Sequence, residues 1–272
     1  MREGAFSGAG FYETARRCLA VCDPAEKCDA VLAFAGAAQA GLLERETDTA
    51  PEAISEPGRP ERPELVDPAR VPRRRLGSAA GRAALVHAIA HIEFNAINLA
   101  LDAVYRFRDM PPAYHLDWLS VAADEARHFR LLSDRLQEMG HAYGDFPAHN
   151  GLWEMAKKTA GSCLERMALV PRVLEARGLD VTPGMIERLS AAGDDSTVAA
   201  LEVILDEEVR HVEIGTRWFH YCCSLEQRDP VKTFLGLLRR HYPRLPRGPF
   251  NLEARYRAGF TQEEMAALEG RG

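Results

Sequence analysis

Glutamate and histidine recur together twice in this chain, in ADEARHF (123–129) and in DEEVRHV (206–212). Aligned, Asp124 falls on Glu207, Glu125 on Glu208, Arg127 on Arg210 and His128 on His211, the two copies standing 83 residues apart. Residues three apart on a helix project from one face about a turn apart, so each Glu-x-x-His offers a carboxylate and an imidazole side by side. Val121 and Leu132 continue the first face; Ile204, Leu205 and Val212 continue the second. Those apolar neighbours point both pairs toward a core. Buried carboxylates without compensation are costly, and metal ions are the natural compensation for carboxylates and imidazoles in a helical core.

Two more carboxylates complete the pattern. Glu93 interrupts an apolar face made by Ile89, Ala90, Ala96 and Ile97, and Glu175 ends the apolar run MALVPRVLE. Glu93 precedes Glu125 by 32 residues and Glu175 precedes Glu208 by 33, so the chain spells two helical hairpins of the form Glu … Glu-x-x-His. Paired, they supply four glutamates and two histidines, whose four negative charges two divalent ions would neutralise. The expected ligands are therefore Glu93, Glu125, His128, Glu175, Glu208 and His211. Asp124 and Glu207 each stand one turn before a histidine, where a carboxylate can accept its distal N–H and fix the tautomer. Arg127 and Arg210 can balance those acids, or form ordinary surface pairs.

The elements that must position these groups are helices. Residues 9–43 read as two helices separated by DPAEK, with Asp23 as a cap and Pro24 at a helix start. Six prolines in 44–78 exclude a regular helix and predict an extended linker or a strap on the next domain. Long helices are predicted over 79–107, 113–139, 152–177 and 196–223. DMPP ends the first, Gly140 caps the second and GLDVTPG stops the third, with a short helix at about 184–192 after it. One further helix is expected near 229–241. The division is an N-terminal extension (1–43), the strap (44–78), an all-α four-helix bundle (79–223) and a C-terminal extension (224–272).

Bulk properties narrow the function classes. Hydrophobic residues at 46% and charged residues at 27% describe an ordinary globular protein, and a net charge of −6 carries no global nucleic-acid signature. Six cysteines in 272 residues do not make a disulfide scaffold and read as buried free thiols in a reducing compartment. The run VLAFAGAAQAGLL (31–43) is too short to span a bilayer and lies too far in for a signal peptide, so a cytoplasmic protein without membrane attachment is expected. RVPRRR and RRHYPRLPR, the latter with Tyr242 interleaved, are basic enough to touch RNA, but solvated faces are the commoner use of such runs. His87, His91, Asn95, Asn98 and Asp102 form a polar stripe on the first long helix, expected to dock the strap or the N-terminal helices. Asp145, His149 and Trp153 belong to a structured loop that can also line an entrance.

Taken together, HAIAHIEFNAI, ADEARHFRLL, LVPRVLEARGLDVTPG, DEEVRHVEIG and PFNLEARYRAGF resemble a ferritin-like family catalogued as domain of unknown function 455, over about residues 55–262. The six-ligand pattern is similar to that of the ferritin-like di-iron carboxylate superfamily, and more distantly to its di-iron tRNA hydroxylase. The resemblance implies a ferritin-like bundle, two iron ions (manganese or a mixed pair fitting the same ligands), and dioxygen or peroxide as oxidant beside a substrate pocket. It gives no specific reaction. Pro171, four residues before Glu175, is expected to kink the third helix there.

The expected activity is oxidation or hydroxylation of an unidentified small molecule by a monomer or homodimer. The competing reading is iron storage or peroxide scavenging without an organic substrate. The long appended segments argue against it, because a storage cage needs little beyond the bundle.

Overall fold

Several helix starts in this chain coincide with capping residues. Asp23 accepts from Glu26 N at 2.9 Å to open α2 (Pro24–Gln39), behind α1 (Phe11–Ala20). Ser78 accepts from Gly81 N at 3.1 Å to open α3 (Ala79–Arg106), and Pro112 occupies the first turn of α4 (Pro112–Glu138). Gly140 ends α4 with φ +77°, and His141 N reaches back to Leu136 O at 2.9 Å, the six-to-one bond that closes a helix C-terminus. The predicted α3 and α4 boundaries differ from these by a single residue.

The structure, a computed structural model, describes residues 10–45, 50–71, 76–242 and 246–270. The expected all-α class holds: among the described residues no strand forms, and only isolated bridges join Gly10 to Glu44 and Leu65 to Ala148. The chain divides into two compact units, Met1–Glu154 and Met155–Gly272.

In the first unit α3 and α4 pack along their lengths, with α1 and α2 against them. α3 is buried on nearly every side from Val86 to Tyr105. It is also long and apolar enough to cross a membrane, but most of it is covered within the protein, as a core helix is. The proline-rich segment is the expected strap. Gly58 N donates to Leu19 O at 2.8 Å, Val66 N to Ala148 O at 2.8 Å, and Tyr105 Oη accepts from Glu52 N at 2.9 Å. A side chain at Gly58 would meet Ala20 O at 2.2 Å, so the strap lies directly on the end of α1.

The second unit departs from expectation. A single helix over 152–177 does not form. α5 (Gly151–Lys158) stops, and α6 (Cys163–Leu169) restarts behind Ser162, whose hydroxyl accepts from Glu165 N at 3.1 Å. Thr159 Oγ1 donates to Met155 O at 2.8 Å and accepts from the buried Arg166 Nε at 2.7 Å, which fixes the break.

Around Pro171 the helix changes its winding. Val170–Glu175 winds into a π-helical turn and runs directly into α7 (Ala176–Ser190). GLDVTPG, predicted to stop the helix, lies inside α7. Pro183 has no N–H for Leu179 O, four residues earlier, and Asn251 Nδ2 donates to that carbonyl at 3.2 Å instead. α8 (Asp195–Leu225), capped by Asp194, packs against α6, the π turn and α7. α9 (Pro230–His241), α10 (Leu252–Arg257) and α11 (Gln262–Leu268) complete the unit.

Candidate metal centre

The α3–α4 hairpin brings three expected ligands together. His128 Nδ1 stands 3.2 Å from Glu125 Oε2 and 3.3 Å from Glu93 Oε2. A ligand atom from each residue lies within 4.8 Å of the others. Glu93 is 4% exposed, Glu125 0% and His128 1%, so two carboxylates share one buried imidazole. Burial opposes protonation of His128, but hydrogen bonds and charge attraction from Glu125 and Glu93 outweigh it and hold the imidazole up to about 11. The pocket thus calls for positive charge, which a proton or a metal ion can meet. Two carboxylates and an imidazole suit iron, manganese or zinc as donors.

The second unit holds the other three. Glu208 Oε1 and His211 Nδ1 lie 3.3 Å apart on α8, with His211 fully buried and the Glu208 side chain 13% exposed. Glu175, half-buried, is the last residue of the π turn. A π turn advances each residue through a smaller angle than an α-helix, so over these residues it rotates Glu175 about a quarter turn from where an unbroken helix would carry it.

Of the residues expected to brace the histidines, Asp124 forms its short ion pair with Arg127, at 2.7 Å and with half of the arginine side chain exposed. Glu207 is half-buried and Arg210 exposed. Of the polar stripe on α3, Asn98 docks an N-terminal helix as expected, whereas His87 and His91 hold the 141–150 loop. His87 Nε2 accepts from Gly144 N at 2.9 Å, and Asn98 Oδ1 accepts from Lys27 Nζ at 2.6 Å. His91 Nε2 faces His149 O at 3.1 Å, which makes it the protonated nitrogen, so Nδ1 accepts from Tyr143 Oη at 2.9 Å. Asp102 instead pairs with Arg106 at 2.6 Å. The loop residues are held structurally: Asp145 accepts from Ala142 N, His149 from Gly151 N, and Trp153 Nε1 donates to Ser55 O at 2.9 Å. The centres of the two basic runs, 72–75 and 243–245, lie outside the described residues; Tyr242 is half-buried.

Two features were not anticipated. Lys27, 0% exposed, sits under the stripe with Leu19 O as its second acceptor at 2.9 Å. Gly215, one turn beyond His211, leaves the space that Pro171 fills, since a Cβ there would meet Pro171 Cγ at 2.2 Å. A glycine in the middle of a 31-residue helix is the signal that could have revealed it, because it costs about 1 kcal/mol relative to alanine unless a close approach requires it.

Comparison with known proteins agrees over most of the chain. It is 48% identical over 213 residues to an uncharacterized protein of Haemophilus influenzae, covering 76% of this chain and 74% of that one. No solved structure matches. The family described as "Protein of unknown function (DUF455)" matches residues 20–266, and the chain belongs to that family.

Proposed function

We propose that this protein is a dinuclear metal oxidoreductase, in which the two Glu … Glu-x-x-His hairpins join as a ferritin-like four-helix bundle around two ions, iron being the best fit. The observation that carries this reading is the buried trio Glu93, Glu125 and His128, whose carboxylates outnumber the one cation the imidazole can provide. The same motif recurs on α8 as the Glu208–His211 pair. Glu125 with His128 and Glu208 with His211 would each hold one ion, and Glu93 and Glu175 would complete the set. When bound, two such ions supply Lewis acidity and the electrons for reducing dioxygen, with oxidation or hydroxylation of a small organic substrate as the outcome.

The chain's own residues do the rest. The glutamates would supply the negative charge that balances the two ions. Phe94 and Phe129, each next in sequence to an expected ligand, are buried and pack on one another with ring centroids 5.5 Å apart. None of the six cysteines is in a disulfide, which suits a reducing, cytoplasmic location.

The reading is tested by removing one imidazole at a time. His128→Ala and His211→Ala, loaded anaerobically with Fe(II), should each retain about one ion fewer than the wild type by elemental analysis. Unchanged stoichiometry in His211→Ala would remove the second unit from the centre.

A further inference from the structure

Two prolines in the second unit stand where a helix should fail, and each is answered by a residue distant in sequence. Pro171 is received by Gly215, whose missing side chain leaves room for the ring. Pro183 leaves Leu179 O without its helical donor, and Asn251 supplies one at 3.2 Å. Between the prolines lies Glu175, and on both sides of it the C-terminal segment grips the helix.

Three residues before Glu175, Arg172 is fully buried. Its guanidinium is ion-paired to Glu264 at 2.6 Å and stacked among Phe219 (4.7 Å), Phe234 (4.2 Å) and Phe260 (4.6 Å). Five residues after Glu175, Asp180 accepts from Arg255 Nε at 2.9 Å and Nη2 at 2.7 Å, and from Asn251 N at 3.1 Å. Arg255 stacks on Phe250 (4.9 Å) and on the same Phe260 (4.8 Å). Glu264 is itself fixed, because its carboxylate accepts from Thr261 N and its own N–H donates to Thr261 Oγ1 in a capping box.

Apolar packing alone would hold a C-terminal segment at least as well as buried ion pairs, since desolvation consumes most of what such pairs gain. What directional pairs add is a single rotational setting of the parts they join. The setting matters here because a π turn competes with the ordinary α-helical winding of the same residues, and the two differ by about a quarter turn at Glu175.

We propose that residues 249–268 are a positioning element for Glu175. By holding Arg172 and Asp180, with Asn251 filling the bond that Pro183 leaves open and Gly215 accepting Pro171, they lock the π turn in the register that makes Glu175 a metal ligand. This rests on the dinuclear reading above. It explains why PFNLEARYRAGF lies so far along the chain from the ligands and still bears on them: Asn251 and Arg255 face α7 directly.

The test uses the full chain in three variants. Asn251→Ser keeps a hydroxyl to cap α10 but cannot reach Leu179 O. Gly215→Ala forces Pro171 out of its seat. Leu189→Ala, in the core of α7 away from these contacts, is a control for lost stability alone. Each is loaded anaerobically with Fe(II), desalted and assayed for bound iron, with far-UV circular dichroism and apo melting temperature alongside. Asn251→Ser and Gly215→Ala should bind one of two ions at least tenfold more weakly, while Leu189→Ala, with an equal or larger loss of melting temperature, keeps both. If Gly215→Ala does not fold, Asn251→Ser decides alone. Wild-type affinity for both ions in folded Asn251→Ser would overturn the proposal, and so would equal metal loss in Leu189→Ala. A wild type that binds no iron overturns it together with the dinuclear reading; a wild type that binds two separates the questions.

Discussion

The two copies of the Glu … Glu-x-x-His hairpin are built in different ways. In the first unit, α3 and α4 are continuous helices, and Glu93, Glu125 and His128 meet because two straight helices pack along their length. Its brace lies on the far side of α3, where Lys27 and the 141–150 loop bond to Asn98, His91 and His87 of the polar stripe. In the second unit the helix carrying Glu175 is interrupted, rewound through a π turn and held by Arg172, Asp180 and the C-terminal segment. In the proposed centre, one half-site would be placed by regular helical geometry and the other by specific side-chain contacts. The same chemistry can therefore be positioned locally or at long range, and the two halves should respond to different mutations.

The largest effect belongs to the regular half. Glu125→Ala should abolish stoichiometric iron binding, measured by elemental analysis after desalting, because it removes the most buried carboxylate of the trio; a variant retaining both ions would show that Glu125 is not a ligand. Next come the contacts that hold Arg172 in the second unit. Glu264→Ala strands the buried Arg172 guanidinium and should lower stability by about 3–5 kcal/mol, seen as a shift of the denaturation midpoint. A loss below about 1 kcal/mol would mean that the aromatic stack alone holds Arg172.

The brace of the first half is weaker but sensitive to pH. Lys27→Met leaves Leu19 O and Asn98 Oδ1 without their donor and should cost about 1–3 kcal/mol at pH 7. Burial pulls the Lys27 amine down to about 7 from its ordinary 10.5. Between those values the unfolded chain binds the proton that the folded chain lacks, so stability rises with pH across that window and is flat below it. This single group contributes about 2 kcal/mol between pH 7 and 9, and denaturant titrations at both pH values should show that rise in the wild type and not in Lys27→Met. The smallest effect is expected at Asp124→Asn. It breaks a half-exposed pair with Arg127 and should cost less than about 1 kcal/mol. It should weaken iron binding less than threefold; a loss of tenfold or more, which is what removing a carboxylate from a ligating histidine brings, would show that Asp124 braces His128.

Legibility in the sequence follows the same division. α3, α4 and α8 were readable to within a residue or two because their apolar periodicity is long and their ends carry unambiguous stops: Ser78, the prolines at 111–112, Gly140 and Asp194. Glu93, Glu125 and His128 could be paired from spacing alone because straight helices preserve it. The interrupted helix could not be read this way. Pro171 and Pro183 are local signals for breaks, yet each is accommodated by a partner 44 or 68 residues onward, Gly215 and Asn251, and no local window contains both members. The break at 159–162 was missed for a related reason, since Thr159 and Arg166 hold it through side-chain hydrogen bonds rather than through a proline. The strap was visible in its composition, but Lys27 under α3 was not, because a lone lysine on an N-terminal helix reads as solvated until Asn98 is placed above it.

The most direct test of the account is the iron content per chain after anaerobic loading of the wild type, with an absorption spectrum recorded as dioxygen is admitted. The account predicts two irons per chain, a new absorption band on oxygenation, and loss of both in Glu125→Ala. A well-folded protein with no stoichiometric metal would contradict it, and the paired motifs would then be buried ion pairs.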